Sequence, residues 1–172
     1  MGGRLQPLFV ASLLLVAAEQ TRSLAAPNHH FYCNTGYNVQ DCDVQLKQLA
    51  GGLAGMDLAP LGDWTWILVR SRDWKPILRR VGRDPDSPAF TILEKRQTFL
   101  EEALFNASPE RARTLLEKWR IPLDQILMFA VAHELGHALC QETDESRARS
   151  HAAQLRSTGS VTCLGRREND EL

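Results

Sequence analysis

His133, Glu134 and His137 form an H-E-x-x-H pattern inside the run Ala130-Val-Ala-His-Glu-Leu-Gly-His-Ala-Leu-Cys140. Two histidines four residues apart on an α-helix lie one turn from each other on one face, about 5–6 Å apart. Their imidazoles can converge on one tetrahedral metal ion, which makes half of a zinc site. Glu134 is rotated about 100° from His133 around the helix, which puts it beside the ion rather than on it. A carboxylate there can take a proton from a metal-activated water, the work of a general base.

The surroundings sharpen that reading. Ile126, Leu127, Met128, Phe129, Ala130, Val131 and Ala132 precede the pattern and Ala138 and Leu139 follow it, so the helix is apolar nearly all round and should be buried. Two imidazoles and a carboxylate in such a helix each carry a desolvation cost unless paired or ligated, and a metal supplies the compensation. Gly136 in mid-helix gives up about 1 kcal/mol of helix propensity relative to Ala, a cost accepted where another backbone or a ligand comes close. The plain alternative is a core helix whose histidines make ordinary hydrogen bonds.

A catalytic zinc site needs a third protein ligand and leaves the fourth position to water. After the motif helix, Thr143 or Asp144 can cap a second helix that Gly159 can terminate. Ala148, Ala152 and Leu155 on it define a narrow face suited to close packing on the first helix. Glu145 lies nearest the centre of that face and is the leading third ligand, with Asp144 and then His151 in reserve. Its plain alternative is a carboxylate serving only the cap and the helix dipole.

These residues resemble the gluzincin-type zincin metallopeptidases, in particular the small single-domain kind. Their H-E-x-x-H helix and following E-x-x-A helix, which often continues x-x-x-A-A-x-L, are matched by His133 to His137 and by Glu145-Ser-Arg-Ala148-Arg-Ser-His151-Ala152-Ala153-Gln-Leu155. The resemblance covers Leu123 to about Ser157, with a weaker likeness back to Trp64. It implies that His133, His137 and Glu145 bind Zn2+ and that Glu134 is the catalytic base. It also implies an α+β, zincin-like fold in which a small mixed sheet packs against the active-site helix and the ligand-bearing helix after it. The chain departs from the pattern in two places. Only seven residues separate His137 from Glu145, and Arg149 stands where such helices often carry Asp or Asn, so the partner of a histidine ligand's second nitrogen stays open.

Composition fits a compact exported enzyme. Arg4, the apolar run Leu8 to Ala18 and the small residues Ser23-Leu24-Ala25 read as a signal peptide over residues 1–25, the apolar run itself being too short to span a bilayer comfortably; the bland alternative is an uncleaved N-terminal anchor. Residues 26–172 then form one catalytic domain, long enough for a real core and too short for two. With 44% hydrophobic residues, 24% charged and a net charge of -1, the chain has no nucleic-acid-binding character and is not a disordered tail. The four cysteines suit an oxidising compartment, with Cys33–Cys42 and Cys140–Cys163 the favoured pairs. Cysteine zinc ligation is disfavoured because no C-x-x-C is present.

The rest should be scaffold. Cys42 to Met56 reads as an amphipathic helix packed on the sheet, Trp64 to Arg70 as a strand, and Phe90 to Leu93 as a short one. Ser71 to Pro88, with its prolines and charges, reads mainly as turn and loop, although Trp74 to Arg80 could make a helical turn. Thr98 to Phe105 is assigned to the family's edge strand despite the helix propensity of its Glu-Glu-Ala-Leu segment. Ser108-Pro109 opens a short helix through Trp119, and Ile121-Pro122 restarts the chain into the motif helix. His29 and His30 read as flexible terminal residues.

The expected activity is secreted or otherwise extracytoplasmic zinc endopeptidase chemistry on extended peptide or protein substrates, by a monomer with no membrane span after signal cleavage. Two other classes stay in view, a secreted zinc-binding module or inactive pseudo-peptidase, and a purely structural disulfide-held interaction domain. His151, Arg149, Tyr32 and Tyr37 are the candidates for stabilising an oxyanion, and no spacing rule chooses among them. The ending Asn169-Asp170-Glu171-Leu172 resembles a retention tetrapeptide but continues a plain polar run.

Overall fold

The computed structural model describes residues 29–163. The expected signal peptide and the polar ending therefore lie outside the described residues. Among the described residues the architecture is α+β, with a mixed four-stranded sheet and five α-helices. In chain order these are β1 His29–Cys33, α1 Val39–Leu53, β2 Trp64–Val69, α2 Ser71–Arg80, β3 Ala89–Ile92, β4 Gln97–Glu101, α3 Pro109–Trp119, α4 Leu123–Cys140 and α5 Glu145–Thr158. The sheet runs β1-β2-β4-β3, with β1 and β4 parallel to β2 and β3 antiparallel to β4.

Successive side chains of a strand point to opposite faces, and here each face has its own core. Trp64, Trp66, Leu68 and Leu100 turn to one side and pack with Leu49 and Leu53 of α1, Val131 and Leu135 of α4, and Ala152 and Leu155 of α5. Val69 and Phe90 turn to the other side and close over Trp74 and Leu78 of α2, with Ile67, Ile92 and Phe99 around them.

Local chemistry explains the helix ends. The Asn38 side chain accepts from the Asp41 amide and starts α1 three residues before the expected Cys42. Ser108 caps α3 with Pro109 behind it, as expected. Of the two candidate caps for α5, Asp144 does the work, accepting from the Arg147 amide, and Gly159 ends the helix at φ 75°. Both favoured disulfides are formed, Cys33–Cys42 tying β1 to α1 and Cys140–Cys163 tying the end of α4 to the chain after α5. Closing the second loop stabilises by about 3 kcal/mol through the unfolded chain.

Three expectations are corrected. Ser71 to Arg80 is a complete helix rather than mainly turn and loop. Pro76 forfeits one backbone bond on its exposed side, at about 3 kcal/mol, but Trp74 and Leu78 at i, i+4 are wholly buried and offset it. The strand expected at Thr98 to Phe105 is β4, which ends at Glu101 and lies inside the sheet between β2 and β3. Its helix-favouring continuation becomes a 3-10 turn, Glu102–Leu104, and β3 takes the edge. His29 and His30 are not loose ends but the start of β1, in register with Trp64 and Thr65. His29 Nδ1 accepts from the Trp66 indole at 3.4 Å.

Candidate metal centre

α4 and α5 pack closely because Gly136 faces the Ala148 carbonyl, where a Cβ would collide with the oxygen. This is the close backbone approach that a mid-helix glycine permits. The consequence is that the first residue of α5 comes up against the histidines of α4.

His133 Nε2 and His137 Nε2 lie 3.3 Å apart, and the two rings are almost perpendicular at 88°. Glu145 Oε2 is 3.0 Å from His133 Nε2, and Oε1 is 3.6 Å from His137 Nε2. Tetrahedral zinc with bonds of about 2.0–2.1 Å needs donor atoms about 3.3 Å apart, which is the spacing these atoms have. The three residues can hold a metal ion, all donor atoms lying within 4.8 Å of one another.

The hydrogen-bond pattern tests the fit independently. His137 Nδ1 is 2.7 Å from the Glu142 carbonyl oxygen, which can only accept, so the neutral ring carries its proton there and leaves a lone pair on Nε2. Burial, followed by the neighbouring His137, lowers the pKa of His133 and favours its neutral, ligating form. With His133 in the tautomer protonated at Nδ1, two imidazoles and a carboxylate can turn lone pairs towards one point, an arrangement that a cation satisfies. His133 Nδ1 is buried without a hydrogen-bond partner, so Arg149 supplies no substitute for the acceptor expected at its position.

Glu134 is buried beside this group, and burial pushes its carboxyl up to about 7 against the opposing pull of His137 and of the nearby Thr91 hydroxyl. A carboxyl poised near neutrality suits proton transfer. Glu145 differs in being 61% exposed, so the candidate ligand atoms sit where a buried helix meets solvent.

The reserves separate clearly. Asp144 spends its carboxylate on the α5 cap, and His151 is buried outside the ligand group with its Nδ1 unpartnered. A cavity of about 510 Å³ opens over His133, Glu134, His137 and Glu145. Of the four oxyanion candidates only Arg149 lines it; Tyr32 is exposed on β1, and Tyr37 is engaged with Gln45. Sequence reasoning missed the cavity walls, Thr91 on β3 and Trp119 and Phe129 on α3 and α4. Phe129 was legible only as part of an apolar run, and nothing local marks Thr91 as facing the motif.

Compared with family models, curated proteins and solved structures, this chain finds no match.

Proposed function

We propose that this protein is an extracytoplasmic zinc metallopeptidase of the gluzincin kind, with His133, His137 and Glu145 holding Zn2+ and Glu134 as the general base. The observation that carries the proposal is the convergence of three lone-pair donors at tetrahedral spacing beside a buried carboxyl held near neutrality, all under one cavity. Zinc held there would act as a Lewis acid, polarising a scissile carbonyl and making a water molecule acidic near neutral pH. Glu134 takes that water's proton and delivers it to the departing amine. Arg149 is the remaining candidate for countering charge on the tetrahedral oxygen.

The edge strand supports a peptide substrate. The Glu101 amide donates to the Pro88 carbonyl at 2.9 Å, so by antiparallel alternation the peptide groups of Ala89 and Thr91 turn away from β4. Their carbonyls accept from Ser87 Oγ at 2.7 Å and, weakly, from Arg83 at 3.4 Å, which leaves two amide donors along the cavity side. An extended substrate strand can add there by main-chain hydrogen bonds. Both disulfides fit an oxidising environment, and no helix among the described residues is long and apolar enough to cross a membrane.

The test is cleavage of a mixed peptide library read by mass spectrometry, with chelated, zinc-restored and Glu134→Gln samples alongside. Cleavage lost on chelation, regained with zinc and reduced by at least about 100-fold in the Glu134→Gln protein is expected. A folded, zinc-loaded protein that cleaves nothing would favour the binding-module reading.

A further inference from the structure

Behind Glu134 runs a line of buried polar groups that neither the metal ligands nor the substrate edge requires. The Trp64 indole N–H on β2 donates to Thr98 Oγ1 on β4 at 3.0 Å. Thr98 Oγ1 lies 3.0 Å from Thr91 Oγ1, its cross-strand partner on β3. Thr91 lines the cavity with Glu134, close enough for its hydroxyl to lower the pKa of that carboxyl. Trp64, Thr98 and Thr91 are all buried, Thr98 with no exposed surface, so water does not interrupt the line.

The chemistry of the groups gives the line a direction. An indole N–H donates and never accepts, so it occupies a lone pair of Thr98 and leaves the Thr98 proton free to go to Thr91. Thr91 then has its own proton free for the carboxylate. The donor-only group at the far end thus permits an orientation in which each hydroxyl donates towards Glu134, and such chains strengthen cooperatively in a low-dielectric interior. A carboxylate oxygen bound in this way would hold one rotamer and leave the second oxygen to the cavity.

We propose that Trp64, Thr98 and Thr91 are positioning residues that form a directional hydrogen-bond chain across three strands and aim Glu134 at the reacting water. In its catalytic consequence the proposal rests on the peptidase reading, whereas the chain itself does not. It also gives a reason for two threonines in the apolar middle of a small sheet, where valines would pack without any need for partners.

Two measurements test it on the full chain. In the first, the indole 1H–15N signals of the metal-free protein are recorded for wild type, Thr91→Val and Glu134→Gln. The Trp64 signal, assigned by its loss in Trp64→Phe, should move in both variants beyond the scatter of the other three indoles. A stationary Trp64 signal overturns the chain whether or not the protein is an enzyme. In the second, turnover of a cleaved peptide by Thr91→Val should fall at least about tenfold in kcat with KM within about twofold, while Thr91→Ser recovers most of the loss. Trp64→Phe, which keeps the ring and removes the donor, should give a smaller loss of the same kind. Equal kcat for wild type, Thr91→Val and Trp64→Phe overturns the positioning role. A wild type that cleaves no peptide defeats the peptidase reading instead, and the indole signals still decide the chain.

Discussion

The two faces of the sheet follow different rules. On the α2 side Trp74, Leu78, Val69 and Phe90 close into an apolar cluster, Phe90 stacks on Phe99 at 4.7 Å, and the Trp74 indole donates to the Ser87 carbonyl at 2.7 Å. The buried Glu101 at that end of β4 is matched by Arg111. On the α4 side, by contrast, His29 Nε2, Trp119 Nε1, His133 Nδ1 and His151 Nδ1 are buried without partners, and the Glu134 carboxyl is buried with its pKa raised to about 7. An unsatisfied buried polar atom costs about 1–3 kcal/mol, so one face holds the fold together while the other carries groups that cost stability, as a functional site does. The contrast separates scaffold from site without reference to any motif.

The largest effect that would break this division is on the scaffold face. Trp74→Ala removes a wholly buried ring and should lower unfolding stability by about 3–5 kcal/mol in urea titrations, with kcat of the remaining folded protein unchanged. A large loss of kcat without a loss of stability would mean that the two faces are not separable.

The site face should show the opposite sign. The Glu134 carboxyl is raised from 4.5 to about 7 in the folded protein, so folding holds its proton more tightly than the unfolded chain does. Its favourable contribution is complete below the unfolded value of 4.5 and is lost as pH rises through the folded value of about 7. In chelator-treated protein this removes on the order of 3 kcal/mol between pH 4 and pH 8. Burial also raises the pKa of Glu101, which adds a slope of the same sign, and so the Glu134→Gln protein is the control. The part of the slope that disappears in Glu134→Gln belongs to Glu134, and at pH 8 the metal-free variant should be the more stable protein. Parallel stability profiles for the two proteins would show that Glu134 is as well solvated in the fold as outside it.

How much of this was legible depended on whether the signal was local. The motif helix announced itself through an apolar run around two histidines, α5 through its cap and its terminal glycine, and Glu145 through its place on the packing face of that helix. Both disulfides followed from two cysteines near each end of the domain. Strand order was not legible, because nothing in Phe90-Thr91-Ile92 or Thr98-Phe99-Leu100 says which of the two lies at the edge; pairing with β2 decides it. α2 was obscured by Pro76 and its charges although Trp74 and Leu78 had the right spacing. Thr91 reads as an ordinary β-branched strand residue until cross-strand pairing sets it on Thr98 and helix packing sets it on Glu134.

The smallest effect discriminates best, because it asks whether the spacing of α4 and α5 serves stability or the site. Gly136→Ala adds a methyl against the Ala148 carbonyl, where the helices must part. Ala gains about 1 kcal/mol of helix propensity and overpacking costs about 1–3 kcal/mol, so the net loss of stability should be only about 1 kcal/mol. Gly51→Ala in α1 meets nothing and should stabilise by about 0.5–1 kcal/mol. The displacement of Glu145 from His133 and His137 is the part that stability does not report. Zinc affinity measured by competition with a chromogenic chelator should weaken in Gly136→Ala by about tenfold or more while Gly51→Ala matches wild type, because zinc tolerates little departure from its bond lengths. Unchanged affinity in Gly136→Ala would mean that Glu145, exposed and long, follows the metal wherever the helix goes, and that the glycine is there for packing alone.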